Sequence, residues 1–223
     1  MEQEKTEQEL NTKPQKRSAK DVFANYFTAT RMAYLALFTA MAYILYLPWL
    51  EFRLFPAVPF MKVDFSNSFV MISGFALGPV AGVVVGVLKE ILHALTFSQT
   101  VGIGEIANIL MLLPYVLIPS LIYKKRKGIK VVIVSLAIGC LAQTVWSVPV
   151  NYLLTFPFFY SAFGYGSWVD GMQFYLKVWY WAVLFNFIKC LLITAAVLLL
   201  YKPLSRLIKL TNAKFTKHQK EER

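Results

Sequence analysis

Apolar residues run through this chain in long unbroken stretches, not in the two-residue alternation of strands. Six of them approach the length of about 17–25 residues that crosses a bilayer as a helix. They are Thr28–Leu47, Val63–Leu77, Val80–Phe97, Gly104–Tyr123, Lys130–Phe156 and Met172–Leu200. Pro48 stops the first, because proline has no backbone N–H and its ring crowds the preceding turn. Pro48–Lys62 is too broken by proline and charge to span, and Pro157–Gly171 is a loop rich in Tyr, Gly and Trp. Gly78-Pro79 marks a turn between the second and third stretches; a single kinked helix there would reduce the count to five. A membrane β-barrel needs short alternating segments, so this pattern excludes one.

Composition sharpens that reading. The chain has 223 residues, 57% hydrophobic and 16% charged, whereas soluble domains carry about 25% charged residues. A soluble domain of this size leaves too much surface in water to hide so much apolar material. The expected class is an all-α membrane protein, a bundle of six transmembrane helices. The net charge of +11 lies mostly at helix ends: 18 of the 23 Lys and Arg fall before Phe38, in Lys124–Lys130, or from Lys202 onward. Basic blocks stay on the cytoplasmic side, so both termini are expected inside. Five spans would strand one block outside. The chain then divides into a polar cytoplasmic segment (1–27), a membrane domain (28–203) and a basic cytoplasmic tail (204–223). The polar start lacks a signal-peptide core, so the first apolar helix is expected to act as an uncleaved insertion signal. Nucleic acid is not an expected partner, because no binding motif accompanies the charge.

Polar side chains inside a bilayer cost about 2.5–3.5 kcal/mol each for Lys or Asp at the centre, so the few present are informative. They are Asp64, Lys89, Glu90, His93, Glu105, Asn108, Gln143, Asn151, Lys177, Asn186 and Lys189. Asn186 and Lys189 are three apart and share a helix face. They point to a pocket offering N–H donors; the structural alternative is a buried ion pair of Lys189 with Glu90 or Glu105. Asn151, before Pro157, can both donate to and accept from a ligand, or bond a neighbouring helix. Glu105 and Asn108 share a face, without a second acid or a His beside them in sequence. His93 reads as a satisfied packing residue, and Cys140 and Cys190, without CxxC spacing, as core thiols. No P-loop, GxSxG or HExxH pattern is present, so the motifs of ATP binding and hydrolysis are missing. Small residues recur at Gly74, Gly78, Gly82 and Gly86 and at Ala29, Ala33, Ala36 and Ala40. Such faces let helices pack closely in lipid. The glycines suit internal packing, while the alanines on a peripheral helix could dock another protein.

Several runs together resemble the substrate-binding S components of energy-coupling factor (ECF) vitamin transporters, most closely the riboflavin-specific branch. They are Lys62-x-Asp64-Phe65-Ser66, Gly74-Phe75-Ala76-Leu77-Gly78-Pro79-x-Ala81-Gly82, Lys89-x-x-x-His93, Gly102-x-Gly104-Glu105-x-Ala107-Asn108, Asn151-Tyr152 before Phe156-Pro157, and Phe185-Asn186-x-x-Lys189. The likeness extends from the first helix to about Leu210. It departs at Ser68-Phe69-Val70-Met71, where small or proline-containing residues are expected, and at Cys190, where glycine is usual. The resemblance implies a six-helix, non-catalytic subunit in a bacterial-type cell membrane. That subunit would capture riboflavin from outside and associate with a transmembrane coupling protein and two cytoplasmic ATPases. It implies flavin contacts at Asn151, Asn186 and Lys189, with Glu105 and Asn108 as further candidates. It also implies a gate in Pro48–Phe60 and a coupling-protein contact at Ala29, Ala33, Ala36 and Ala40. No cofactor beyond the transported ligand is expected. Thiamine and folate are the alternatives within the family: thiamine would want acids and an aromatic cage, folate arginines. A membrane enzyme or a ligand-free assembly protein is the alternative outside it.

Overall fold

A computed structural model describes residues 28–54, 61–98 and 102–221, with side chains described as far as residue 205. The expected N-terminal segment (1–27), and residues 55–60 of the expected gate, lie outside the described residues. The chain divides into two units, Met1–Tyr34 and Leu35–Arg223. The described part of the first is the opening of a helix; the packing below belongs to the second.

The elements in order are α1 (Ala29–Ile44), β1 (Phe52–Arg53), β2 (Lys62–Val63), α2 (Ser66–Leu77), α3 (Pro79–Thr96), α4 (Ile103–Lys125), α5 (Ile129–Val150), a π-helical turn (Asn151–Thr155), α6 (Phe156–Ala162) and α7 (Trp168–Glu221). The fold is mostly helical. Its departure from an all-α bundle is a two-stranded antiparallel ribbon pairing Phe52 with Val63 and Arg53 with Lys62. Among the described residues, four helices are long and apolar enough to cross a membrane: Pro79–Thr96, Ile103–Lys125, the continuous Ile129–Ala162 and Trp168–Ser205. α1 and α2 are apolar but shorter, at 16 and 12 residues.

Several boundaries differ from the sequence expectation. α1 ends at Ile44 and not at Leu47, and Val63, expected to open the second span, lies in β2, with α2 starting at Ser66. The fifth apolar stretch does not stop at Phe156; the π-turn absorbs Pro157 and the helix continues through α6 into the expected loop. The last helix starts at Trp168 and runs to Glu221, past the apolar run and through Pro203, because its polar continuation still favours helix. α2 and α3 are separate helices with Gly78 alone between them. Gly78 has φ +100, a backbone few other residues adopt, and Pro79 starts the next helix where its missing N–H costs nothing.

The described interior is a largely apolar core that also takes in the polar side chains of the helices, while the outward faces are apolar, as suits lipid. α5 turns Ser135, Gly139, Gln143 and Ser147 inward, and exposes Val134, Ile138, Leu141 and Val145. Of the four glycines expected to pack, Gly74, Gly82 and Gly86 do so against α4, whereas a methyl group on Gly78 would meet nothing within 4 Å. A methyl group on Gly82 would lie 2.6 Å from Val116 Cγ1 and 3.0 Å from the Gly74 Cα, and one on Gly86 would collide with Leu112. Gly139 approaches Pro119 in the same way, holding α5 against α4. α7 closes the bundle against α2 and α5.

Because the backbone of Gly74 itself blocks the added methyl, Gly82→Ala should destabilise the protein by about 1–3 kcal/mol. Val116→Ala in the same chain should recover part of that loss. Thermal unfolding in detergent measures both; a Gly82→Ala protein as stable as the parent would contradict the close α2–α3 approach.

Candidate functional site

A cavity of about 330 Å³ opens between the ribbon, the first turn of α2, and α3, α4, α5, the π-turn and α7. That volume falls at the lower end for small-molecule sites. Its apolar walls include Met61, Met111, Leu112, Phe159, Phe163 and Phe185. Met61, Val63, Phe156, Tyr175, Ala182 and Phe185 pack together and pin the ribbon to α6 and α7.

The buried charges along the cavity pair with one another. Lys189 Nζ on α7 donates to Asp64 Oδ2 at 3.2 Å and to the Lys62 carbonyl at 3.3 Å. Asp64 Oδ1 accepts from the Ser66 backbone N–H at 3.0 Å and from the Ser66 hydroxyl. Ser66 Oγ in turn accepts from Lys89 Nζ at 2.6 Å, and Lys89 pairs with Glu90 at 2.9 Å. On the other flank, His93 Nδ1 is 2.9 Å from Glu105 Oε1, and Lys62 pairs with Glu51 at 2.9 Å. Tyr46 lies between the two sets. Its ring stacks on His93 at 4.0 Å, Lys89 Nζ sits 4.2 Å from the ring centroid, and its hydroxyl accepts from Asn108 Nδ2 at 2.7 Å. Arg53, exposed at the ribbon, also lines the cavity.

The neutral polar groups are arranged differently. Asn151 Nδ2, Thr155 Oγ1 and Asn67 Oδ1 are buried and lack a hydrogen-bond partner, and all three residues line the cavity. A buried unbonded polar group costs about 1–3 kcal/mol, so such groups facing a cavity suit a ligand that satisfies them. Asn186 Nδ2 donates to the Ala182 carbonyl at 2.9 Å, which leaves Oδ1 as its acceptor. Cys190 Sγ lies 3.5 Å from Gln143 Oε1 and donates to it.

The structure brings Glu105, Asn108, Asn151, Asn186 and Lys189 to one cavity. The ion-pair partner of Lys189 is Asp64, not Glu90 or Glu105: the chain turns into α2 at Asp64, in front of α7, while Glu90 is held by its neighbour Lys89 and Glu105 by His93. His93, expected as a packing residue, is satisfied and also lines the cavity. Sequence spacing missed it beside Glu105 because it comes from another helix. Tyr46, Asn67 and Thr155 were also missed, and single polar residues in apolar runs were the signal available for the last two. Cys140 and Cys190 are free buried thiols. Ala29, Ala33, Ala36 and Ala40 are exposed, and Ala36 and Ala40 do not line the cavity.

A family model described as ECF transporter, substrate-specific component, matches residues 30–201. The chain is 27% identical over 179 residues to the riboflavin transporter RibU of Staphylococcus aureus, covering 80% of this chain and 92% of that protein. It is 31% identical over 191 residues to the riboflavin transporter RibU of Streptococcus thermophilus, covering 84% and 89%. A solved structure described as the S component of a bacterial ECF transporter matches with a TM-score of 0.67 at 27% identity, over 81% of this chain and 98% of that one.

Lys189→Met leaves Asp64 buried without its main counter-charge, so it should cost about 3–5 kcal/mol of stability. Adding Asp64→Asn removes the stranded charge and should restore much of the loss. Melting curves of the single and double variants check this; equal loss in both would contradict the pair.

Proposed function

Because this chain belongs to the substrate-specific components of ECF transporters, we propose that it captures riboflavin at the outer face of the cell membrane. It hands the vitamin to a separate ATP-driven module. Relatives named as riboflavin transporters align over most of both chains. The observation that carries the reading is the division of labour in the cavity. Its buried charged groups are paired among themselves, and amides and a hydroxyl are left for a ligand.

Riboflavin is a flat neutral ring with carbonyl and imide edges and a polyol tail, so it needs an apolar slot with a few donors and acceptors. Asn151 Nδ2 is an unbonded donor and Asn186 Oδ1 an acceptor. Lys189 has three N–H bonds and spends two within the protein, which leaves one for a ring carbonyl. Asn108 and Glu105 support the wall through Tyr46 and His93. Thiamine is cationic and would want an unpaired acid; folate is dianionic and would want more than Arg53.

Six spans with cytoplasmic termini complete the reading. The charge distribution supports it. The 12 residues of α2 rise about 18 Å, short of the roughly 30 Å hydrocarbon core. All twelve of its residues are buried, so α2 crosses inside the bundle and not against lipid. The exposed alanines of α1 form a smooth face for close approach of a transmembrane coupling protein, which carries the force from two cytoplasmic ATPases. The chain itself contributes no catalysis.

In proteoliposomes the chain alone should bind riboflavin without ATP-driven accumulation, and addition of the coupling protein and ATPases should produce uptake. Ala36→Leu and Ala40→Leu should lower uptake and co-purification with the module while binding survives. ATP-driven accumulation by the chain alone would sink the proposal; loss of binding in the alanine variants would sink the docking assignment.

A further inference from the structure

Hydroxyls on these helices mostly bond a carbonyl one turn back. Ser73 donates to Val70, Thr96 to Leu92, Ser135 to Val132, Thr144 to Cys140 and Ser147 to Thr144, at 2.7–3.0 Å. Thr155 does not. Its side chain is nine-tenths buried, its Oγ1 has no partner, and it lines the cavity. Thr39 and Ser120 are also unbonded, but neither faces the cavity.

The backbone at Thr155 differs from that of the other hydroxyls, which lie on α-helical turns. The carbonyl four residues before Thr155 belongs to Asn151, and it accepts the Phe156 N–H across the π-turn. Two residues beyond Thr155 stands Pro157. A proline cannot donate to the carbonyl four residues back, and its ring collides with it in a straight α-helix. One extra residue in the turn relieves the collision. The π-turn therefore holds two unbonded groups a turn apart: Asn151 Nδ2, which donates, and Thr155 Oγ1, which both donates and accepts.

We infer that Thr155 is a ligand-binding residue, and that Pro157 is the positioning residue that keeps its hydroxyl off the backbone and available to the ligand. The complementary ligand edge is neutral and carries a carbonyl next to an N–H or hydroxyl. The identity of the ligand rests on the riboflavin reading above.

Titration of the purified protein with riboflavin, followed by quenching of flavin fluorescence, tests this together with melts of the ligand-free protein. Thr155→Val keeps the shape and removes the hydroxyl. It should weaken binding about 3- to 10-fold and leave the ligand-free melting temperature unchanged or higher, since an unsatisfied buried group is gone. Thr155→Ser should bind within about twofold of the parent, because it restores the same neutral hydrogen bond. Pro157→Ala should weaken binding although it removes no atom that touches the ligand. Undiminished affinity in Thr155→Val, or a lower ligand-free melting temperature, would overturn the Thr155 assignment. Undiminished affinity in Pro157→Ala would overturn the positioning role. A parent protein that does not bind riboflavin would instead overturn the functional reading. The ligand-free melts would still decide whether the Thr155 hydroxyl is unsatisfied, because they need no ligand.

Discussion

An ammonium group inside an apolar bundle has to find a counter-charge, and Lys189 finds it in Asp64 at 3.2 Å. That pair holds the middle of α7 to the start of α2. Asp64 passes the link through Ser66 to Lys89 and Glu90 on α3, so three helices meet in one chain of ionic hydrogen bonds. Lys189 also donates to the Lys62 carbonyl, which fixes the second strand of the ribbon at the edge of the cavity. Removing one member of such a set exposes the rest to the full cost of an unpaired buried charge.

The same pairing decides what the cavity can recognise. With Asp64 facing Lys189, Glu51 facing Lys62 and Glu105 facing His93, the lining acids are engaged within the protein, and Arg53 adds a positive charge at the exposed ribbon. On the proposed reading, recognition falls to the amides and to Thr155, whose unbonded polar atoms belong to residues that line the cavity. Tyr46 joins the two ionic sets, stacked on His93 and below Lys89, and it anchors Asn108. A flat apolar molecule with carbonyl and hydroxyl edges suits such a slot; an ionic one does not.

Apolar run length made the helices legible, and Gly78-Pro79 marked the break between α2 and α3. Rarity of polar groups in those runs made Asn151, Asn186, Lys189, Glu105 and Asn108 legible as a set, and one cavity holds all five. The pairings were less accessible. Asp64 meets Lys189 across 125 positions, and His93 meets Glu105 from another helix, so one-dimensional spacing carries no sign of either contact. The π-turn was hidden for a local reason: Pro157 announces a disruption but does not say whether the helix ends or widens. The ribbon was invisible because two-residue strands have no periodicity.

The engagement of the buried charges with one another is best tested by titrating one preparation of the purified protein with riboflavin, thiamine and folate. Mutual pairing of the buried charges predicts saturable one-to-one binding of riboflavin. It also predicts affinities for thiamine and folate at least about a hundredfold weaker, since either would have to break a buried pair or leave its own charge uncompensated. Binding of thiamine or folate as tightly as riboflavin would contradict the account.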